Sequence, residues 1–181
     1  MLFAERYVSS LTSSDLRDDE HHAATLPLHA SAVADRGNGA LLGSLLSRVK
    51  YADGVVHKDF ESGSKNLAEL VKIWTNMVVE KGIARKWVPT NTAWDAAAAM
   101  KLYHFVAEQS LAHWLGGLCQ TCNGAGVMET RRTCMACGGT KRAPIKAGPL
   151  ETEKIRDMLS ELEGILQTHN ARAAGLLRRA V

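Results

Sequence analysis

Four cysteines arranged as two CxxC pairs are the residues of this chain whose types and spacing best suit a chemical role. They are all the cysteines of the sequence, and they fall in one short stretch, at Cys119, Cys122, Cys134 and Cys137. A CxxC turn presents two thiolates to one point, and two such turns complete the tetrahedral shell that Zn²⁺ prefers. Because four cysteines leave no open coordination position, the spacing predicts a structural zinc ion.

The residues around the cysteines favour zinc over the two other uses of paired thiols. Glycines follow both pairs, where the backbone needs positive φ and where amides approach sulfur closely. Disulfides are disfavoured because nothing marks the chain as secreted. A redox CxxC normally opens a helix after a strand, and no apolar β-branched run precedes either pair.

The composition is typical of a helical globular protein. The chain has 181 residues, 46% of them apolar and 23% charged, which is enough for one or two small domains. Aromatic residues make up 6%, whereas Ala and Leu are abundant, and this favours helices. No signal peptide pattern opens the chain, and no apolar stretch is long enough to span a membrane. We therefore expect a mainly α-helical cytoplasmic protein with reduced thiols.

Apolar residues repeat at helical spacing on both sides of the cysteines. The repeat predicts one amphipathic helix over Asn66–Lys81, ended by Gly82, and another over Ala93–Trp114. Pro149 is placed to open a final amphipathic helix. The apolar stripe of that helix predicts packing against the rest of the domain, with a coiled-coil dimer seam as the alternative.

These patterns divide the sequence into four segments. Residues 1–38 are a variable N-terminal arm, in which only residues 2–11 have helical spacing. Residues 39–117 are a small helical domain, and residues 118–146 are the inserted zinc-binding module. Residues 147–181 are the C-terminal amphipathic helix, which we expect to pack on the helical domain.

The positive charge of the chain is concentrated around the cysteines. Residues 81–146 hold 9 basic and 3 acidic side chains, a net charge of +6, whereas residues 1–80 hold 8 basic and 11 acidic side chains, a net of −3. Such asymmetry is typical of a surface that faces nucleic acid.

The order of two helices, a basic connection between them and a basic zinc loop predicts DNA binding. In a helix-turn-helix the start of the second helix faces the major groove, and Asn91 and Thr92 stand near that position. The phosphate-neutralising candidates are the nearby cations Arg85, Lys86, Arg131, Arg132, Lys141 and Arg142. The connection from Gly82 to Asn91 is long for a tight turn, so a true helix-turn-helix is left open.

Motifs typical of enzymes are missing from the sequence. It has no Gly-rich phosphate loop, no HExxH and no nucleophile beside a placed base. A closed Cys₄ shell would also exclude substrate. We therefore expect a protein that is not an enzyme, and the alternatives to DNA binding are modules in which the zinc loop binds another protein.

The cysteine motifs resemble those of two families. The patterns CxxCxGxG from Cys119 and CxxCG from Cys134 resemble half of the cysteine-rich region of DnaJ-type co-chaperones. That family has four such repeats and a His-Pro-Asp motif, both of which this chain lacks. The chain is more similar to the lambda-type Q late antitermination proteins of lambdoid phages. This resemblance covers roughly residues 64–180 and is strongest at Leu118–Thr140 and across the helix pair Leu67–Leu111.

The resemblance to the Q proteins implies a regulator of transcription in the cytoplasm of a bacterial host. Such a protein binds double-stranded DNA at a late promoter and loads onto the host RNA polymerase, with sigma factor as a further candidate partner. It then travels with the polymerase and suppresses pausing and termination. On this resemblance the four cysteines are the zinc ligands. The alternatives are a zinc-dependent DNA-binding regulator without antitermination activity and a DnaJ-like protein-binding scaffold.

Overall fold

The fold is mainly α-helical, with a four-cysteine module, as the sequence predicts. The structure is a computed structural model and describes residues 3–12, 25–35, 42–52, 60–88, 96–129 and 131–179. The helices are α1 Phe3–Thr12, α2 Leu26–Ala34, α3 Leu42–Ser47, α4 Phe60–Ala84, α5 Ala96–Gly116 and α6 Pro149–Arg179. A π-helix at Arg48–Ala52 follows α3 directly.

The chain divides into two compact units, and both boundaries fall inside helices. Unit 1 contains Met1–Ile73 and Glu163–Val181, and unit 2 contains Trp74–Leu162. The first part of α4 and the last part of α6 therefore belong to unit 1. This division differs from the four sequence segments, because the N-terminal and C-terminal residues share one unit and the cysteine module shares the other with α5.

Unit 1 has a core built from both ends of the chain. Phe3 and Tyr7 lie one helical turn apart in α1, so both face the same side, and both are buried. They form one apolar cluster with α2 and the end of α6, whose members there are Ala30, Ala34, Ala173 and Leu177. The sequence predicted a variable arm over residues 1–38. Within that stretch the described helices α1 and α2 occupy core positions, because their apolar residues pack with Ala173 and Leu177 of α6.

Unit 2 has a core of large side chains with one internal polar link. Trp74, Val78, Val106, Ile155 and Met158 are fully buried. The indole N–H of Trp74 in α4 donates a 3.0 Å hydrogen bond to the hydroxyl of Ser110 in α5, which itself donates to the carbonyl of Ala107. This link satisfies the indole N–H of Trp74, the one polar atom of that buried side chain, and ties α4 to α5.

Gly82 has a different role from the helix-ending one that its sequence position suggested. Helix α4 continues past it to Ala84, and a Cβ at position 82 would come within 2.6 Å of the Tyr103 ring. The Tyr103 ring also lies 6.0 Å from the ring of Trp87, which follows the helix. Glycine is therefore required here for close packing of α4 against α5 rather than for a C-terminal cap.

The start of α6 matches its sequence prediction. Pro149 is the first helical residue, and the side chain of Glu151 accepts a 2.7 Å hydrogen bond from the backbone N–H of Gly148. A Pro in the first position and an acidic side chain that reaches back to the capping residue stabilise a helix N-terminus. The signal is contained within four consecutive residues, which is why the sequence alone is sufficient to locate it.

Candidate metal centre

The four cysteines lie in a loop module between α5 and α6 that consists of two similar halves. Each CxxC in one half corresponds to a CxxC 15 residues away in the other, so that Cys119 matches Cys134 and Cys122 matches Cys137. The backbone conformations match as well. In each half, three residues after the second cysteine have positive φ, and the matched pairs are Asn123 with Gly138, Gly124 with Gly139, and Gly126 with Lys141.

The two halves pair with each other reciprocally. The N–H of Cys119 donates to the carbonyl of Lys141 at 2.9 Å, and the N–H of Cys134 donates to the carbonyl of Gly126 at 3.0 Å. An isolated antiparallel bridge flanks each bond, one between Leu118 and Arg142 and one between Val127 and Thr133. The 15-residue offset exchanges these pairs, so the module has approximate two-fold symmetry. In this symmetric arrangement both CxxC turns face one point.

The sulfur positions fit one tetrahedral metal ion. The four Sγ atoms all lie within 4.8 Å of one another, with 3.9 Å between Cys119 and Cys134 and 3.8 Å between Cys122 and Cys137. Metal–sulfur bonds of ~2.3 Å in a tetrahedron place sulfurs about 3.8 Å apart. All four side chains are buried, and the four thiols are free of disulfides. The arrangement can therefore hold a metal ion in a closed shell.

Backbone amides stabilise the thiolate form of the cysteines. The N–H of Gly126 donates to the Cys122 sulfur at 3.2 Å. The backbone amide of Cys122 is the main cause that lowers the pKa of the Cys119 thiol to about 7. For Cys134 the amide of Cys137 acts in the same direction, but burial and the neighbouring thiols outweigh it and raise the pKa to about 11. Four thiolates this close repel one another, and a divalent cation between them removes that repulsion.

The glycines after the first cysteine pair are needed for conformation and for space. Gly126 has φ +81°, and a Cβ there would meet the side chain of Lys141 at 2.9 Å and the carbonyl of Gly139 at 3.0 Å. Its N–H also reaches the Cys122 sulfur. A side chain at this position would strain the backbone and separate the two halves, as the sequence-based reading of these glycines expected.

The predicted phosphate-binding residues of the module lie at its surface. Arg131 and Arg132 are exposed on the short hairpin between the two CxxC pairs, where the N–H of Arg131 donates to the carbonyl of Met128. Lys141 is exposed as well, and Arg142 is half-buried beside His113, whose pKa is lowered by burial and then by this guanidinium. The structure therefore brings these four cations into the same module as the cysteines.

The basic connection after α4 contains two cations with different surroundings. The guanidinium of Arg85 forms ion pairs with Asp157 and Glu161 of α6, and Lys81 pairs with Glu161 at 2.8 Å. Arg85 therefore links α4 to α6 within unit 2, a structural use that the sequence did not indicate. Lys86 is exposed, with φ 53°. The remaining two predicted contacts, Asn91 and Thr92, lie outside the described residues.

A buried polar network in unit 1 was not anticipated from the sequence. His169 of α6 is 2% exposed, and its Nε2 lies 3.1 Å from the hydroxyl of Ser31 in α2. Its Nδ1 lies 3.0 Å from a carboxylate oxygen of Asp35, which is an ion-pair distance when the imidazole is protonated. Asp35 also accepts from the backbone N–H and the hydroxyl of Ser44 at the start of α3. The network joins three helices.

The Ser–His–Asp order of this network resembles a hydrolase triad in distance only. Ser31 lies inside α2 and is 1% exposed, so a substrate carbonyl has no access to its hydroxyl. Gly43 packs so closely that a Cβ there would come within 2.5 Å of the His169 ring. The three side chains are therefore a packing feature. No sequence motif announces them, since 138 residues separate Ser31 from His169.

The buried imidazole predicts acid-sensitive folding of unit 1. Burial lowers the pKa of His169 below its ordinary value of 6.5; the Asp35 carboxylate opposes this shift, and Arg172 adds to it. Because the unfolded chain then binds the proton more readily, stability is fully present above about pH 6.5 and is lost as pH falls toward the folded pKa. We expect the free energy of unfolding to fall by at most about 1.4 kcal/mol per pH unit in that window.

The measurement is denaturant unfolding of the wild type and His169→Gln at a series of pH values. Glutamine does not titrate, so the histidine contribution to the slope disappears. His29→Gln is the matched control, because His29 is exposed in α2. Equal slopes for His169→Gln and the wild type would show that this imidazole does not control acid stability.

Among the described residues, none of the helices has the length and apolar character needed to cross a membrane. Comparisons of the chain with protein-family models, with curated proteins and with solved structures found no match.

Proposed function

We propose that this protein is a zinc-dependent, DNA-binding antiterminator of phage late transcription. The observation that carries the proposal is the two-fold Cys₄ module, inserted between α5 and α6 and surrounded by exposed cations. The chain resembles the lambda-type Q proteins in the order of its elements, which is a helix pair, a CxxC…CxxC module and a closing helix.

Zinc is the metal that the ligand set favours. Four sulfurs in a tetrahedral arrangement suit Zn²⁺ or a sulfur-bound iron, and the separations below 4.8 Å suit a single ion rather than a multi-iron cluster. Bound in this closed shell, zinc would supply folding energy and no reaction chemistry. Its effect would be to fix the two halves of the module and thereby the positions of Arg131, Arg132 and Lys141.

DNA binding is supported by the charge of the module surface. From residue 130 to residue 150 the sequence has five basic residues and no acidic one, a net charge of +5. Phosphate contacts from such cations give most of the affinity for DNA and little sequence preference. Sequence-specific contacts would come from the region of Asn91 and Thr92, ahead of α5. Arg85 would act indirectly, because its two carboxylate partners in α6 hold the connection that precedes that region.

Polymerase loading and antitermination rest on the resemblance. In this role the protein would bind promoter DNA first, then transfer to bacterial RNA polymerase and remain with the elongating enzyme. A zinc-dependent promoter-binding regulator without antitermination is the second candidate, and the same exposed cations support it. The two are separated by a transcription measurement, since both bind DNA.

The double change Arg131→Asn with Arg132→Gln tests the DNA-binding part. Asn tolerates the positive φ of 58° at position 131, so the hairpin is preserved while two charges are removed. We expect weaker binding to a short mixed-sequence duplex, and a salt slope of log K reduced by about 1.8, the value for two lost phosphate contacts.

The matched control for that experiment is Arg178→Gln with Arg179→Gln. These residues are exposed at the end of α6, and their removal changes the net charge of the protein by the same amount. An equal reduction of the slope in both double variants would mean that overall charge, rather than the zinc-module hairpin, governs DNA binding.

A further inference from the structure

Met135 is an apolar side chain placed where the fold does not need one. It lies between the buried ligands Cys134 and Cys137 and is 94% exposed, the most exposed of the large apolar side chains described. The matching position in the other half of the module is Gln120, which makes the same CxxC turn with a polar side chain. The two-fold symmetry thus provides an internal comparison. The turn itself does not require an apolar residue at this position.

The backbone holds Met135 in a fixed place. The N–H of Cys134 is bonded to Gly126, and the N–H of Thr140 is bonded to the carbonyl of Cys137. A metal ion on the two flanking cysteines would fix the turn further. Because the backbone of the turn is already ordered, binding would cost only the side-chain entropy of Met135, which favours its use as an interface anchor.

The sequence around Met135 is basic. Arg131, Arg132 and Lys141 are exposed on either side of it in the sequence, and no acidic residue occurs between positions 130 and 150. Surfaces that combine Met with Arg are typical of protein–protein interfaces, because Met adapts to apolar pockets and Arg pairs with carboxylates. DNA would match these charges, but its phosphate backbone offers no apolar pocket for the thioether of Met135.

We propose that the Cys134–Cys137 turn is a protein-docking site in which Met135 inserts into an apolar pocket rimmed by acidic side chains on a partner protein. This inference rests on the proposed function, which supplies bacterial RNA polymerase as the partner. It goes beyond that function by assigning the contact to one turn of the zinc module. DNA contact by the turn is the competing outcome.

The test measures binding of the full-length, zinc-loaded protein to purified bacterial RNA polymerase and, separately, to a mixed-sequence DNA duplex. The variant is Met135→Gln, which installs the residue found at the matching position of the other half. Met135→Leu keeps the apolar character, and Gln120→Ala changes the other turn. We expect Met135→Gln to weaken polymerase binding about tenfold, a loss typical of an interface anchor, while DNA affinity and zinc content stay unchanged.

Both controls should bind polymerase within about twofold of the wild type, because each keeps an apolar side chain at position 135. If the wild type binds polymerase and Met135→Gln binds it equally well, the docking site is refuted and the proposed function stands. A loss of DNA affinity in Met135→Gln with unchanged polymerase binding would assign the turn to DNA. If the wild type itself fails to bind polymerase, the proposed function fails, and the docking partner with it.

Discussion

Replacing Cys119 with Ser should abolish stable metal binding and unfold the cysteine module. A hydroxyl is a poor ligand for zinc, and the other three sulfurs cannot close a tetrahedral shell alone. Structural zinc sites supply apparent binding energies of about 10–16 kcal/mol, so loss of the site removes the main support of a loop module whose buried cluster consists of the four cysteines. No other His, Asp or Glu joins the cluster among the described residues.

Metal content after dialysis against a chelator measures the first effect, and hydrogen exchange measures the second. The wild type should keep roughly one zinc ion per chain, and the variant roughly none. The amides of Gly126 and Cys134, which are bonded within the module, should lose protection, while those of α5 should keep it. Gln120→Ser is the matched control, since it places the same side chain at an exposed position of the same turn. Full metal retention by Cys119→Ser would refute the four-sulfur site.

Replacing Trp74 with Ala should be the most destabilising single change in the helical part of unit 2. The side chain is fully buried and its indole N–H is bonded to Ser110. Truncation of a buried Trp to Ala leaves a large cavity and costs about 3–5 kcal/mol. Ser110→Ala removes only the acceptor and leaves the indole N–H unpaired, at a cost of about 1–3 kcal/mol.

Denaturant unfolding followed by far-UV circular dichroism measures both effects. Met100→Ala is the control, because that α5 residue is 42% exposed and should change stability by no more than about 0.5 kcal/mol. In the double variant the Ser110 change should add little to the Trp74 change, since the two side chains share one hydrogen bond. Full additivity of the two losses would show that the hydrogen bond contributes nothing to the packing of α4 on α5.

The features that sequence reasoning located correctly depend on neighbouring residues. The CxxC turns and the cap at Pro149 are each encoded within a few positions, so their spacing is sufficient to place them. The helices α5 and α6 were anticipated because one apolar face repeats over several turns.

The features that were missed depend on pairing between distant parts of the chain. Helices α1 and α2 pack with Ala173 and Leu177, and Ser31 meets His169 across 138 residues. The phosphate contact predicted for Arg85 stays a prediction, but its ion pairs were not anticipated, because the carboxylate partners Asp157 and Glu161 lie on another helix. No local pattern specifies which helix supplies such partners. The reciprocal pairing within the cysteine module was also missed, although it joins residues that are close in the sequence. Its repeat becomes visible there once the two halves are aligned with the 15-residue offset.

Transcription through a terminator tests the central claim most directly. The template carries the phage late promoter upstream of an intrinsic terminator, and the reaction contains purified bacterial RNA polymerase with the zinc-loaded protein. We predict increased read-through that requires the promoter DNA and that is lost with Cys119→Ser. Unchanged termination in reactions where the protein is shown to be bound to the DNA would contradict antitermination and leave a promoter-binding regulator.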